Sequence, residues 1–334
     1  MFNRAGLQKE RIIFKKMKSK YSVLVVVLAI GIGWVILSGS KSFEKMKYRA
    51  VNDNIDSENP NAQNGDASLN GFIHAIKIPE TIYFGNEPVP LKVMDVRERL
   101  DRELTVNVFW HSSTILMLKR ANRYFPVIEP ILKKNGVPDD FKYLALAESG
   151  FQNVVSPSGA AGFWQFMKGT ATDYKLILNE EVDERYHLEK STEAACVYLK
   201  KLKEQFGSWT MAAAAYNMGQ GALKTQMEKQ EQTNYYDLIL SEETSRYVFR
   251  VLALKAIFSA PQDFGFNLTE ADLYQPYTYK VVTINETVES WPQFCKEKGI
   301  TYRQLKLLNP WLREAKLTNS DKLAFDIKVM DKDQ

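Results

Sequence analysis

The chain has 334 residues, enough for about two domains with apolar cores. Hydrophobic residues make up 45% and charged residues 25%, the proportions of an ordinary globular protein. The net charge is only +4, with Lys and Arg spread along the chain beyond the N-terminus, so a nucleic-acid partner is not expected. The two cysteines, Cys196 and Cys295, fall in different predicted domains and read as small buried apolar side chains rather than a disulfide. His74, His111 and His187 have no metal-ligand spacing with each other or with a cysteine, and no metal or other cofactor is expected.

Residues 1–20 form a basic segment with Arg4, Lys9, Arg11, Lys15, Lys16, Lys18 and Lys20. The apolar run at 23–37, extended to 21–38 by Tyr21, Ser22 and Ser38, approaches the length of a membrane-spanning helix. Trp34 suits an interfacial position at its outer end, and the basic flank puts the N-terminus in the cytoplasm. The remainder would then lie in the periplasm, anchored to the inner membrane. A cleaved leader is the rival reading, with Ser38 and Ser40 as small residues at cleavage positions. The long basic flank and Lys41 favour the anchor, and the lack of a cysteine after the run excludes a lipid-modified N-terminus. Residues 39–71, rich in Asn, Asp, Ser and Lys, read as a flexible linker. Residues 72–90, with Pro79, Pro88 and Pro90, read as an extended lead-in on the surface of the domain that follows.

From Leu91 to about residue 265 the periodicity is helical. Val93, Val96, Leu100 and Leu104 mark one face of a first helix. A second is expected over 112–124, stopping before Pro126. A third starts at Pro126 and closes on Lys133, Lys134, Asn135 and Gly136, a basic last turn with a glycine cap.

The helix expected over 139–148 follows a Pro and a capping Asp. Phe141, Leu144 and Ala145 recur on one face, and Glu148 is the next position on it. Ser149-Gly150 ends the helix. A carboxyl placed there points inward, and both burial and the negative end of the helix dipole favour its protonated form. A carboxyl that stays protonated near neutral pH is what a general acid must be. Ser156, Ser158, Gly159 and Gly162 then make a tight turn in which backbone can approach a ligand. Another helix is expected from Phe163, packing Phe163, Phe166, Met167 and Tyr174 inward, with Gln165 off that stripe as a polar substrate reader.

The charged run containing Glu180, Glu181, Asp183, Glu184 and Arg185 reads as solvated surface. A helix over 192–206 buries Ala195, Tyr198, Leu199 and Leu202 and ends at Gly207. The next, over 209–218, carries Ala212, Ala213 and Tyr216 and frees polar groups at Asn217 and Gly219. A last long helix over 244–259 bears Tyr247, Val248, Val251 and Phe258 on one face and ends at Pro261.

The segments E-S-x-F at Glu148, S-P-S-G-A-A-G-F-W-Q-F-M from Ser156, and A-Y-N-M-G from Ala215 stand in family-like order and spacing. Together they resemble the soluble-lytic-transglycosylase catalytic domain, and within that family most nearly its membrane-bound lytic murein transglycosylase D group. The resemblance covers roughly residues 90–260. It implies a goose-lysozyme-like helical fold, assigned here to 72–265, and cleavage of the β-1,4 bond between N-acetylmuramic acid and N-acetylglucosamine in peptidoglycan glycan strands. It also implies site roles: Glu148 catalytic; Ser156 and Gln165 orienting Glu148 and the substrate N-acetyl group, with Ser158 in the same substrate-binding turn; and Tyr216, Asn217 and Tyr247 lining the cleft.

Past Tyr279 the character changes. Val281, Val282 and Ile284 read as a strand, 287–298 and 302–308 as two short helices, and Leu323, Phe325 and Ile327 as a second strand. This βααβ order, with L-K-L-L-N-P from Leu305, resembles a LysM glycan-binding module over 277–330, without most of that module's glycine-rich turns. The expected fold is therefore mainly α: a lysozyme-like helical catalytic domain, a small βααβ LysM-like C-terminal domain, and an N-terminal transmembrane helix.

One strongly placed acid and no second carboxylate in the motifs departs from an ordinary glycosidase, which needs two. The resemblance implies that the sugar supplies the missing part, with Glu148 serving first as acid and then as base and a 1,6-anhydromuramyl end as product. Two alternatives stand beside it: a goose-lysozyme-like hydrolase with its second acid between Asp173 and Glu184, and a non-catalytic peptidoglycan-binding protein.

Overall fold

A computed structural model describes residues 75–331. The basic segment 1–20, the anchor expected over 21–38, the linker 39–71 and His74 lie outside the described residues. Among those described, no helix is long and apolar enough to cross a membrane.

The described chain opens with a two-residue hairpin, β1 (Tyr83–Phe84) and β2 (Glu87–Pro88), turned by Gly85-Asn86. It is more than the surface lead-in expected. Phe84 is fully buried, with its ring 5.1 Å from that of Phe141. Glu87 accepts from the Trp209 and Thr210 backbone N–H groups at 2.6 and 2.9 Å, neutralising the N-terminus of a later helix.

The helices are α1 (Met94–Phe109), α2 (His111–Lys134), α3 (Phe141–Ser149), α4 (Lys168–Asp173), α5 (Leu188–Phe206), α6 (Trp209–Met218), α7 (Gln220–Gln230) and α8 (Glu242–Ser259). Val96, Leu100 and Leu104 are buried as their spacing requires, but Val93 stands at the N-cap of α1 and is exposed. The two helices expected either side of Pro126 are one helix, α2, which runs through both Pro126 and Pro130. Each internal proline forfeits an i→i−4 bond at a cost of about 3 kcal/mol. The continuous buried stripe Met117, Leu118, Ala121, Ile128 and Leu132 outweighs that local cost. α5 starts one turn earlier than expected, because His187 caps it through Nδ1. α1 packs on α8, α5 on α6 and α2, and α3 against α2 and α8. The small residues Ala212 to Ala215, all fully buried, let α6 approach its neighbours closely.

The C-terminal part has the expected order: β3 (Tyr279–Ile284), α9 (Trp291–Lys298), α10 (Tyr302–Leu308) and β4 (Phe325–Met330). β3 and β4 pair antiparallel, from Tyr279 opposite Met330 to Ile284 opposite Phe325. Leu323 lies before β4 and is exposed rather than alternating inward. Fully buried Asn309 fastens β4: its Nδ2 donates to the Lys328 carbonyl at 2.7 Å and its Oδ1 accepts from the Lys328 N–H at 2.9 Å. The described residues, 75–331, belong to one compact unit. The apolar cluster of Trp291, Trp311, Leu312, Leu317 and Phe325 continues into Ala161, Val182 and Tyr186 of the helical part.

Candidate active site

α3 is buried nearly all round: Phe141, Leu144, Ala145 and Leu146 are fully covered. Asp140 stands at its N-cap without capping it. Its carboxylate instead accepts from the Gly85 N–H at 2.7 Å and pairs with Lys255 at 2.7 Å, tying α3 to the hairpin and to α8. At the other end Gly150 takes the left-handed conformation with φ +56°, which a glycine adopts without strain. The Ser149 hydroxyl reaches the Ala145 and Phe163 carbonyls at 3.1 and 3.0 Å, fastening the last turn of α3 to the loop that follows.

Glu148 is thereby held at the helix end. Burial pushes its carboxyl up to about 7. The Tyr247 hydroxyl, donating to Oε1 at 2.5 Å, and the charge of Arg250 pull it down, while Glu243 pushes it up. The residue still keeps part of its surface open. A carboxyl that is largely surrounded by protein yet partly open to solvent suits proton exchange with a bound molecule.

Tyr247, itself 2% exposed, comes from α8. Tyr216, from α6, donates to the Trp164 carbonyl at 2.6 Å. Both hydroxyls are held well above the usual tyrosine range, first by burial and then by the Glu148 charge, so they stay protonated as donors. Asn217 joins the end of α6 to the start of α8. Its Oδ1 accepts from the Thr244 hydroxyl at 2.8 Å, and its Nδ2 faces Glu243 at 3.4 Å.

The serine turn is closed by its own bonds. Ser156 N–H donates to the Ala160 carbonyl at 2.9 Å, and the Ser156 hydroxyl accepts from the Ala160 N–H at 3.0 Å. Ser158 is exposed. Gln165 takes φ +48°, and its amide donates to the Gly162 and Val154 carbonyls at 2.7 and 3.2 Å. Ser156 and Gln165 thus use these bonds within the loop, and Glu148 is oriented by Tyr247. The helix expected from Phe163 begins only at Lys168. Residues 162–165 form a turn instead, closed by the bridge between Ala161 and Phe166, and Ala161 also bridges to Val155. Phe163 and Phe166 are buried as expected, but Met167 is 45% exposed beside the loop.

The charged run after Tyr174 is a solvated surface only in its first part: Glu180 is exposed, Glu181 and Asp183 are half-buried. Glu184 and Arg185 are 2% and 4% exposed. Glu184 pairs with Lys190 and accepts from the Ile177 N–H, while Asp183 pairs with Arg185 at 2.7 Å.

Sequence reasoning missed an ionic cluster beside the site. Glu103 of α1 is 1% exposed, and Arg246 of α8 donates to it at 2.6 Å; Arg250, one turn on, lies 3.9 Å away. The signal was present: Glu103 falls on the buried stripe of Leu100 and Leu104, facing two arginines spaced i, i+4.

Replacing Tyr247 tests its hold on Glu148. In Tyr247→Phe the carboxylate loses a hydrogen bond, so the pKa of Glu148 rises further. The alkaline limb of the rate should move up by about one pH unit, the equivalent of one charge-assisted bond. A pH–rate profile on purified sacculi reads this directly, and an unmoved limb would show that the hydroxyl does not tune the acid.

A Transglycosylase SLT domain model matches residues 125–239, and a Soluble lytic transglycosylase C-terminal LysM-like domain model matches residues 280–333. Among curated proteins, the chain is 29% identical over 228 residues to membrane-bound lytic murein transglycosylase D of Escherichia coli strain K12, covering 66% of this chain and 49% of that protein. The same values hold for its counterpart in Escherichia coli O6:H1. The chain thus spans about half the length of the curated relatives it matches. Similar solved structures include the 70 kDa soluble lytic transglycosylase of Escherichia coli, with 24% identity, TM-score 0.36, and coverage of 46% of this chain and 27% of that one. A lytic transglycosylase of Pseudomonas aeruginosa, at 20% identity and TM-score 0.35, covers 45% and 26%. The chain carries a transglycosylase SLT domain of mainly helical fold, followed by the LysM-like domain of the soluble lytic transglycosylase C-terminal type.

Proposed function

We propose that this protein is a peptidoglycan lytic transglycosylase acting on the β-1,4 bond between N-acetylmuramic acid and N-acetylglucosamine. The observation that carries the reading is Glu148, a carboxyl at the end of α3 lifted to about 7, partly open to solvent and held by the Tyr247 hydroxyl. Glu148 donates its proton to the glycosidic oxygen as the bond to the anomeric carbon breaks. The carbonyl oxygen of the muramyl N-acetyl group stabilises the positive charge that develops there. Glu148, now ionised, takes the proton of the muramyl 6-hydroxyl, and that oxygen bonds to the anomeric carbon. The product is a 1,6-anhydromuramyl end, and Glu148 is protonated again. Internal attack is favoured because nucleophile and electrophile belong to one molecule.

The hydrolytic alternative needs a second carboxylate to activate water. Between Asp173 and Glu184, three of the acids are engaged elsewhere: Glu181 with Thr318, Asp183 with Arg185, Glu184 with Lys190. The carboxylate whose charge reaches Glu148 is Glu243, exposed at the start of α8. In this reading Ser156, Ser158, Gln165, Tyr216 and Asn217 line the glycan cleft around Glu148. The chain works in the periplasm, anchored by the apolar run at 21–38, with glycan strands as its partner. Mass spectrometry of digested sacculi is the test. Anhydromuramyl ends are the expected product; reducing muramic ends would replace this reading with a hydrolase using Glu243, and no release at all would leave a wall-binding protein.

A further inference from the structure

We propose that the C-terminal module is a positioning element of the active site, holding the loop 154–166 in place through Arg185. The proposal rests on the reading of that loop as substrate-binding. The loop closes its turns with its own bonds, the Phe166 carbonyl among them accepting from the Ala161 N–H at 3.1 Å, and Arg185 ties the serine turn to the loop's far end. One nitrogen of Arg185 donates to the Gly159 and Phe166 carbonyls, at 2.9 and 3.2 Å. A single guanidinium therefore fastens the serine turn and the far end of the loop that carries Gln165. The loop also sits directly on the backbone at Arg185. Gly162 has φ +79°, and a Cβ there would lie 1.9 Å from the Arg185 carbonyl oxygen.

Arg185 is in turn fixed from behind. Asp183 accepts from its Nε at 3.0 Å and from its second terminal nitrogen at 2.7 Å, a two-pronged grip that the point charge of a lysine does not reproduce. The segment carrying Asp183 and Arg185 is stitched to the C-terminal module. Asp183 N–H donates to the Trp311 carbonyl at 2.9 Å, Arg313 N–H donates to the Glu181 carbonyl at 2.8 Å, and Val182 bridges to Leu312. The Glu181 carboxylate accepts from the Thr318 N–H at 2.5 Å and from its hydroxyl at 3.1 Å. The Arg313 guanidinium lies 4.4 Å over the Tyr186 ring, and Ala161 of the loop shares an apolar cluster with Trp291, Trp311 and Leu312. The connection thus runs from the module through residues 181–185 to the guanidinium and the loop. None of these groups is among the influences on Glu148. A module fused this way shapes the cleft, a role distinct from tethering the enzyme to glycan.

The test uses the full chain with Arg185→Lys and, at the seam and away from the loop, Glu181→Ala, read by backbone hydrogen exchange and by turnover of sacculi. Amides of residues 156–165 should exchange at least tenfold faster in Arg185→Lys and, to a lesser degree, in Glu181→Ala, while α3 and α8 keep wild-type protection. kcat/KM should fall by about tenfold or more in Arg185→Lys, mainly through KM, as expected for a misplaced binding group. The alkaline limb near pH 7 should stay where it is. A local loosening without change in α3, α8 or the limb separates positioning from general loss of fold. Unchanged loop exchange in either variant, or faster exchange in Arg185→Lys with kcat/KM within twofold of wild type, overturns the proposal. A wild-type protein that releases nothing from sacculi would sink the transglycosylase reading, and the exchange result would still decide whether the module holds the loop.

Discussion

Glu148→Gln should lower the release of soluble fragments from purified sacculi by about 10³-fold or more. A general acid contributes about 10²–10⁴-fold on its own, and in the proposed mechanism the same group also acts as base in the second half of the reaction. Glutamine keeps the shape and can still accept from the Tyr247 hydroxyl, so the cleft should stay assembled while both proton transfers are lost. The comparison belongs near pH 6, where most of the wild-type carboxyl, lifted to about 7, still carries its proton. Muropeptide release followed by chromatography measures the loss, with circular dichroism as the control for folding. Residual turnover within tenfold of wild type would move the acid to another residue. Glu243 would be the first to examine, since its charge is felt at Glu148 and its side chain is exposed.

The parts of this molecule that follow a single period were open to reading in advance. The stripe Phe141, Leu144, Ala145 and then Glu148 is a one-face argument, and the residues before Glu148 are fully buried. Tyr247, on the apolar face of its helix, is buried in α8, and its hydroxyl donates to Glu148. The C-terminal βααβ order was likewise legible, because each of its elements is short and punctuated.

What could not be read depended on partners distant in sequence. Pro126 is a sound local stop signal, but it is overruled by apolar burial on both sides of it in α2. The run from Glu180 to Arg185 has the composition of a solvated surface. Glu180 is exposed, but Glu184 and Arg185 are buried because Lys190, the loop carbonyls and the C-terminal module all meet there. Phe163 to Met167 has helical spacing, yet the Ala161 bridges and the positive φ of Gln165 make residues 162–165 a turn instead. The partnership of Glu103 with Arg246 spans 143 positions and is made only when α1 packs on α8.

The burial that equips Glu148 as an acid should also cost the protein stability at high pH, and Glu148→Gln should recover it. The carboxyl has its ordinary value of 4.5 when the chain is unfolded and about 7 when folded. Below pH 4.5 both states hold the proton, and the group makes stability no more dependent on pH. Between 4.5 and 7 the unfolded chain has released its proton while the folded one keeps it, so the folded state becomes progressively less favoured as pH rises. Above 7 both are ionised and the loss is complete, at up to about 3 kcal/mol for a shift of this size. Glutamine has no proton to lose. The variant should therefore match wild type near pH 4.5, gain stability through pH 7 and hold the gain above it, with a midpoint roughly 5–10 °C higher at pH 8. Thermal melts of the two proteins at pH 4.5, 6 and 8 check the sign as well as the size. A carboxylate kept for structure, like Glu189 with its value lowered to about 2 between His187 and Lys328, would give the opposite slope, its substitution costing stability at neutral pH. Parallel melting curves for wild type and Glu148→Gln from pH 4.5 to 8 would mean that Glu148 titrates like an exposed carboxyl. The case for a pre-protonated acid at the end of α3 would then be lost, whatever the variant's activity.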